Sequence, residues 1–156
     1  MAPVCHGAGT DSVTAFVRYV ADGDTIILQN GEKVRLIGVD TPEIHDEDER
    51  RNQAHAKKYN LDPRVVDEYA FKARTFSLEA VLHQNVRLEY DAQRLDKFGR
   101  TLAYVYREPD NFFLNAELVK QGEGFAYTRF PFKYQNQFRD FENQAKRDHR
   151  GLWGPA

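Results

Sequence analysis

Cys5 is the one cysteine in this chain. A lone thiol closes no intrachain disulfide, so no covalent staple is available to the fold, and cysteine usage does not reveal the redox compartment. Long apolar runs are also missing: no stretch is long enough to cross a bilayer as a helix. A positive balance is absent as well. The 22 Lys and Arg are outnumbered by 24 Asp and Glu, for a net charge of −2. That argues against holding nucleic acid by overall charge, while leaving room for a local basic site. The histidines, His6, His45, His55, His83 and His149, show no zinc-ligand spacing and are expected on the surface or in loops. There are no internal repeats and no low-complexity linkers. Met1 to Thr10 lacks the apolar core of a signal peptide, so none is expected there. That the chain is the trimmed form of a longer product stays open.

What is present fits one globular domain. The 156 residues are enough for a real core, and 41% are hydrophobic. Residues 1–11 are expected to be a flexible tail and 12–153 a single domain. The charges are uneven. Asp46 to Glu49 is an unbroken acidic run, read as a solvated loop. Gly124 to Arg150 holds Arg129, Lys133, Arg139, Lys146, Arg147 and Arg150 against three acids.

Val13, Ala15, Val17 and Tyr19 alternate along Ser12 to Val20 and predict a strand with those four on one face. A D-G turn leads to a second strand, Thr25 to Gln29. Asn30-Gly31 then signals a hairpin into a third, Glu32 to Val39. Ile44 to Leu61 is charged and without period. It is expected to be a mobile loop outside the core, with a helical turn near Glu49 to Lys57 as an option. Asp62 as N-cap and Pro63 at the first position start a helix that runs to about His83, with Asn85 serving its C-terminal turn. Val86 to Asp91 and Arg100 to Arg107 read as the fourth and fifth strands, separated by the polar segment Ala92 to Gly99. Glu108 to Asn111 is a proline-containing turn. Asn115 is expected to cap a short helix ending at Gly122. Tyr134, Phe138, Phe141 and Ala145 mark a last helix, stopped by Gly151. The predicted class is α+β with a mainly β core: an OB-type five-stranded β-barrel with about three α-helices. Such barrels commonly bind oligonucleotides across one face.

The chemistry gathers at V-R-L-I-G-V-D-T-P-E, Val34 to Glu43. The strand stops at Thr41-Pro42, where proline withholds a backbone donor. Arg35 carries a guanidinium that matches phosphate oxygens two at a time. Asp40 is a hard oxygen ligand suited to Ca²⁺ or Mg²⁺. Glu43, just past the strand end, is free to act on a water. A strand end with a surface ion pair is the plain alternative. Two further stretches, Asp22-Gly23-Asp24-Thr25 and Asp96-Lys97-Phe98-Gly99-Arg100, complete a set. D-G-D-T, R-x-x-x-V-D-T-P-E and D-K-F-G-R, in this order, resemble the staphylococcal-nuclease-like (thermonuclease) family from about Ser12 to Trp153.

That resemblance implies the same barrel and a Ca²⁺-dependent, sugar-nonspecific nuclease. Such an enzyme cleaves DNA and RNA at the 5′-oxygen and leaves 3′-phosphates. One Ca²⁺ is expected on Asp24, Asp40 and the backbone carbonyl of Thr41. Arg35 and Arg100 are assigned to the scissile phosphate, and Glu43 is the candidate general base. Asp22 is read as a turn aspartate that caps a backbone amide. Lys97, Phe98 and Tyr127 align with positions that contact the 3′ side and the base. Phe98 stands where tyrosine is frequent, and Arg129 where a second aromatic is frequent. The segment Ile44 to Leu61 is expanded relative to the family pattern. Single-stranded DNA or RNA is the expected partner and the chain is expected to be a monomer. Export is favoured by the resemblance alone. Two alternatives remain: a non-catalytic OB-fold module for nucleic acid or protein, and a phosphodiesterase for small nucleotides.

Overall fold

The structure, a computed structural model, describes residues 12–44 and 50–154. The calls made for the N-terminal tail, Cys5, His6, His45 and the acidic run Asp46 to Glu49 lie outside the described residues. The strands are β1 (Ser12–Asp22), β2 (Thr25–Leu28), β3 (Lys33–Leu36), β4 (Val39–Asp40), β5 (Asn85–Glu89), β6 (Thr101–Arg107), β7 (Phe112–Phe113) and β8 (Phe125–Ala126). The helices are α1 (Arg50–Tyr59), α2 (Pro63–Val81), α3 (Leu114–Lys120) and α4 (Gln135–Arg147), followed by a 3₁₀ turn at Gly151–Trp153. Four α-helices rather than three are thus present among the described residues.

The main sheet runs β3-β2-β1-β5-β6-β7, and β3 also pairs with β6. That last pairing is parallel, Val34↔Thr101 to Leu36↔Ala103, and closes five strands into the expected OB-type barrel. Strand β1 serves two neighbours. Its first half, Ser12 to Phe16, pairs with β5, and its second half, Val17 to Asp22, pairs with β2. The register shifts between Val17 and Tyr19, so one extra residue is inserted and the inward face changes. Val17 and Val20 are therefore both buried while Tyr19 is half exposed. The one-face alternation expected of this strand fails at Tyr19, across the shift, and at Val13, half exposed at the strand's start.

The barrel is filled by Val17, Val20, Ile26, Val34, Leu36, Val86, Leu88, Ala103 and Val105, with α2 and α3 covering its ends. Asp62 caps α2 as expected, its side chain accepting from the amide of Arg64 with Pro63 next. The chain then reverses through His83, whose φ is +58°, and Asn85 opens β5 instead of ending the helix. Asn115 lies within α3, wholly buried, and is not its cap. Its Oδ1 accepts from the Val105 amide at 2.9 Å, and its Nδ2 donates to the carbonyls of Ile37 and Ala103. It joins α3 to the strands β6 and β3 where their own ladder ends.

The segment expected to be a mobile loop is, from Arg50 to Tyr59, helix α1. It packs on α2, burying Asn52 and Ala56, and Tyr59 stacks on Phe125 with ring centroids 4.5 Å apart. No helix among the described residues is long and apolar enough to cross a membrane.

Candidate active site

The turn between β1 and β2 supplies the first carboxylate. Gly23 is required there by crowding: a Cβ would lie 2.7 Å from the Ala73 Cβ and 2.9 Å from the Thr41 Cγ2. Ser77 on α2 donates to the Gly23 carbonyl at 2.6 Å. Held this way, Asp24 is buried, its Oδ1 accepting from the Thr25 hydroxyl and its Oδ2 from the Thr41 amide at 2.9 Å. Asp22 accepts from the Ile44 amide, in the capping role expected of it.

Asp40 comes from β4, which is pinned by β8 through Asp40↔Phe125 and Val39↔Ala126. Arg35 on β3 stands between the two buried carboxylates. Its Nη2 is 3.4 Å from Asp24 Oδ2 and 3.3 Å from Asp40 Oδ1. Its Nη1 donates to the carbonyls of Leu36 and Val39 at 2.9 and 2.7 Å. Burial works against the Arg35 charge, but Asp24, Asp40, Glu43 and Tyr127 together hold its pKa above the ordinary value. Burial likewise opposes ionisation of Asp40, yet its bond to His55 and the charges of Arg35 and Arg51 bring its pKa below the usual range.

Glu43 lies after Pro42, partly exposed. Its backbone is clamped by Asn52 of α1: the Glu43 amide donates to Asn52 Oδ1 and the Glu43 carbonyl accepts from Nδ2, both at 2.9 Å. Asn52 also donates to Asp67 on α2 at 3.1 Å. Arg51 spans two acids, with Nη1 3.0 Å from Glu43 Oε1 and Nη2 3.2 Å from Asp40 Oδ1. Burial raises the Glu43 pKa, and the charges of Asp22, Asp24 and Asp40 push it the same way against the pull of Arg51.

His55 departs from expectation. It is not a surface histidine: its Nε2 lies 2.9 Å from Asp40 Oδ2 and its ring stacks on Phe125 at 4.5 Å. Arg51, Asn52 and His55 were not singled out for the site by the sequence. Their signal was the i, i+1, i+4 spacing, which puts them on one side of a helix beginning beside Glu43.

The remaining expected residues form a separate group. Arg100 immediately precedes β6, near Arg35 by the parallel register Arg35↔Leu102. Its guanidinium, however, is engaged by Asp96 at 2.7 Å and not by Asp24 or Asp40. Phe98 is 72% exposed, with Lys97 and Arg100 over its ring. Tyr127 is tied by its amide to the Gly38 carbonyl, and its ring meets the exposed Phe130 edge-on at 6.2 Å. Phe130, one residue beyond Arg129, thus supplies a second aromatic in that loop.

The all-oxygen donor set at this site suits a hard cation. Two further observations fit one. Thr41 Oγ1 is buried without a hydrogen-bond partner. Glu43 also feels three neighbouring carboxylates whose repulsion a divalent ion relieves. No cage of three acidic, His or Cys side chains occurs among the described residues, so water would complete the shell.

The family model described as "Staphylococcal nuclease homologue" matches residues 33–155. The thermonuclease of Staphylococcus hyicus is 36% identical over 139 residues, covering 86% of this chain and 72% of that protein. An uncharacterized protein of Methanocaldococcus jannaschii, MJ1439, is 36% identical over 148 residues, 86% of this chain and 68% of the other. Endonuclease YncB of Bacillus subtilis is 38% identical over 141 residues, 86% of this chain and 59% of its own length.

Proposed function

The chain belongs to the staphylococcal nuclease homologue family, and from that premise we propose that it is a Ca²⁺-dependent, sugar-nonspecific nuclease acting on DNA and RNA as a monomer. The observation that carries the reading is the convergence of buried Asp24 and buried Asp40 on one nitrogen of Arg35, with Glu43 at the edge of the same cluster. Burying carboxylates is costly unless they are paired or hold a metal. A module that merely grips a phosphate backbone gains nothing from sinking two acids beside an arginine, since backbone affinity follows positive charge.

Asp24, Asp40 and Thr41 are the residues to hold Ca²⁺, which when bound supplies positive charge to the phosphoryl oxygens. Glu43 takes a proton from the attacking water as its oxygen bonds to phosphorus. The bond from phosphorus to the 5′-oxygen breaks, that oxygen leaves and takes a proton from solvent water to become the 5′-hydroxyl, and the phosphate stays on the 3′ side. Arg35 fixes both acids and keeps the site positive as negative charge develops. Arg100, presented on its own turn beside the start of β6, serves the phosphate from the strand next to that of Arg35. Exposed Phe98, Tyr127 and Phe130 favour unpaired bases, which stack on aromatic faces.

The test is cleavage of matched single-stranded and duplex DNA with Ca²⁺, Mg²⁺ or EDTA. Cleavage is expected with Ca²⁺, poorly with Mg²⁺, which demands stricter octahedral geometry, and faster on the single strand. Full activity in EDTA overturns the metal assignment, and faster duplex cleavage overturns the stacking argument.

A further inference from the structure

Arg35 is set deep and fixed. A guanidinium has five N–H donors. Both Nη1 donors of Arg35 go to the carbonyls of Leu36 and Val39, and its Nη2 faces Asp24 and Asp40. Its side chain is only 12% exposed. Whatever donors it offers a phosphate, it offers from one position.

Arg51 differs in each respect. It is carried on α1, is 53% exposed and stands where Asp40 and Glu43 meet. Both of its terminal nitrogens rest on carboxylates at 3.0 and 3.2 Å. Asp40 already has other holders, Arg35 and His55, and the backbone of Glu43 is held by Asn52. Releasing Arg51 therefore leaves Asp40 and the Glu43 backbone in place and frees the Glu43 carboxylate. Half-exposed ion pairs are weak, ~1 kcal/mol or less, so a phosphate readily competes for this arginine.

We propose that Arg51 is a third guanidinium of the reaction centre and a catalytic residue, resting on Asp40 and Glu43 and turning from them to make the two-point contact with the substrate phosphate. This rests on the nuclease reading above. In the resting state Arg51 neutralises the acids that the cation also seeks, so it opposes cation binding. In the working state it faces the phosphate's developing charge. Positive charge near the site and geometric fit are thus separable by experiment.

The variants are Arg51→Gln and Arg51→Lys, each checked by thermal melting. Ca²⁺ affinity without substrate is measured by calorimetry. The kcat and KM for a short single-stranded DNA are measured over a series of salt concentrations. Arg51→Gln is expected to bind Ca²⁺ several-fold more tightly, because a like charge is gone, while kcat/KM falls about 10²-fold. Its plot of log KM against log salt should be shallower by about 0.7, one phosphate contact on a single strand. Arg51→Lys keeps the charge without the fork, so Ca²⁺ affinity and salt slope stay near the parent values while kcat stays low. Wild-type rates in Arg51→Gln reduce the residue to a surface ion pair and overturn the proposal. Loss of Ca²⁺ affinity together with kcat shows that Arg51 only holds the carboxylates, which also overturns it. Full kcat in Arg51→Lys removes the two-point contact. A parent protein that cleaves nothing in Ca²⁺ sinks the nuclease reading and this inference with it. A parent that cleaves beside an equally active Arg51→Gln sinks the inference alone.

Discussion

Two turns carry the residues expected to act on a phosphate, and they are built in opposite ways. The turn Asp22 to Thr25 is braced from outside. Helix α2 packs on Gly23 and bonds its carbonyl through Ser77, and Asp24 reaches across to the Thr41 amide. The turn Asp96 to Arg100 is braced from within. The Asp96 carboxylate accepts from the amides of Phe98 and Arg100 and from the Arg100 guanidinium. A Cβ on Gly99 would meet nothing within 4 Å, and Phe98 stands in solvent. The first turn is fixed by the tertiary structure and so offers a preorganised pair of acids. The second is an autonomous local motif that presents Arg100 from a turn closed by its own Asp96. Catalysis by charge placement profits from a rigid half.

Substitutions at the two ends of this contrast should differ in kind. The largest effect is expected in the acidic cluster that the braced turn anchors, where Glu43→Gln should lower kcat about 10²–10⁴-fold with KM little changed. Steady-state cleavage of single-stranded DNA reads this directly, and a near-normal kcat removes Glu43 from the chemistry. At the autonomous end, Arg100→Lys should cost about 10²-fold in rate, with Ca²⁺ affinity and melting temperature intact, because lysine keeps the charge and loses the fork. Equal rates for the two forms reassign Arg100.

Stability should show the reverse asymmetry. Gly23→Ala forces a methyl into Ala73 and Thr41 and is expected to cost about 2 kcal/mol, roughly 4–8 °C in melting temperature. Gly99→Ala meets only the strain of a φ of +81°, about 1 kcal/mol and half that shift. A larger loss at Gly99 than at Gly23 breaks the comparison.

The smallest effect is a pH dependence. Burial opposes ionisation of Asp96, but its bonds to Arg100 and Phe98 prevail and hold its pKa below the ordinary 3.8. A carboxylate with a lowered folded-state pKa contributes stability above the unfolded value and loses it as pH falls through the folded one. The melting-temperature gap between the parent and Asp96→Asn should therefore be constant at neutral pH and close only below about 3.8. A gap that persists into stronger acid shows that charge at Asp96 is not what holds the turn.

The barrel was legible in the sequence because alternation, D-G and N-G turns and a capped helix all pointed the same way. The register shift in β1 was not, since an inserted residue leaves no mark on composition and moves Tyr19 outward. The two-residue strands β4 and β8 are too short for any period. Helix α1 was missed for a physical reason: its buried face is polar. Asn52 is buried against the Glu43 backbone and Asp67, and His55 faces Asp40, so no hydrophobic stripe announces the helix. The same cause hid Arg51 and His55. A search for zinc spacing passes over His55, whose partner is a carboxylate. Asn115 looked like a cap because asparagine favours caps, whereas its three bonds reach β6 and the residue just past β3.

The pairing of β4 with β8 bears on how the molecule is made. The strand that pins Asp40, Phe125–Ala126, and the ring of Phe125 against which His55 stacks are synthesised long after Asp40 itself. Until that segment emerges, the acids have been translated but not assembled. Assembly of the acidic cluster therefore waits on a strand pairing that is long-range in sequence, and no local element completes it alone.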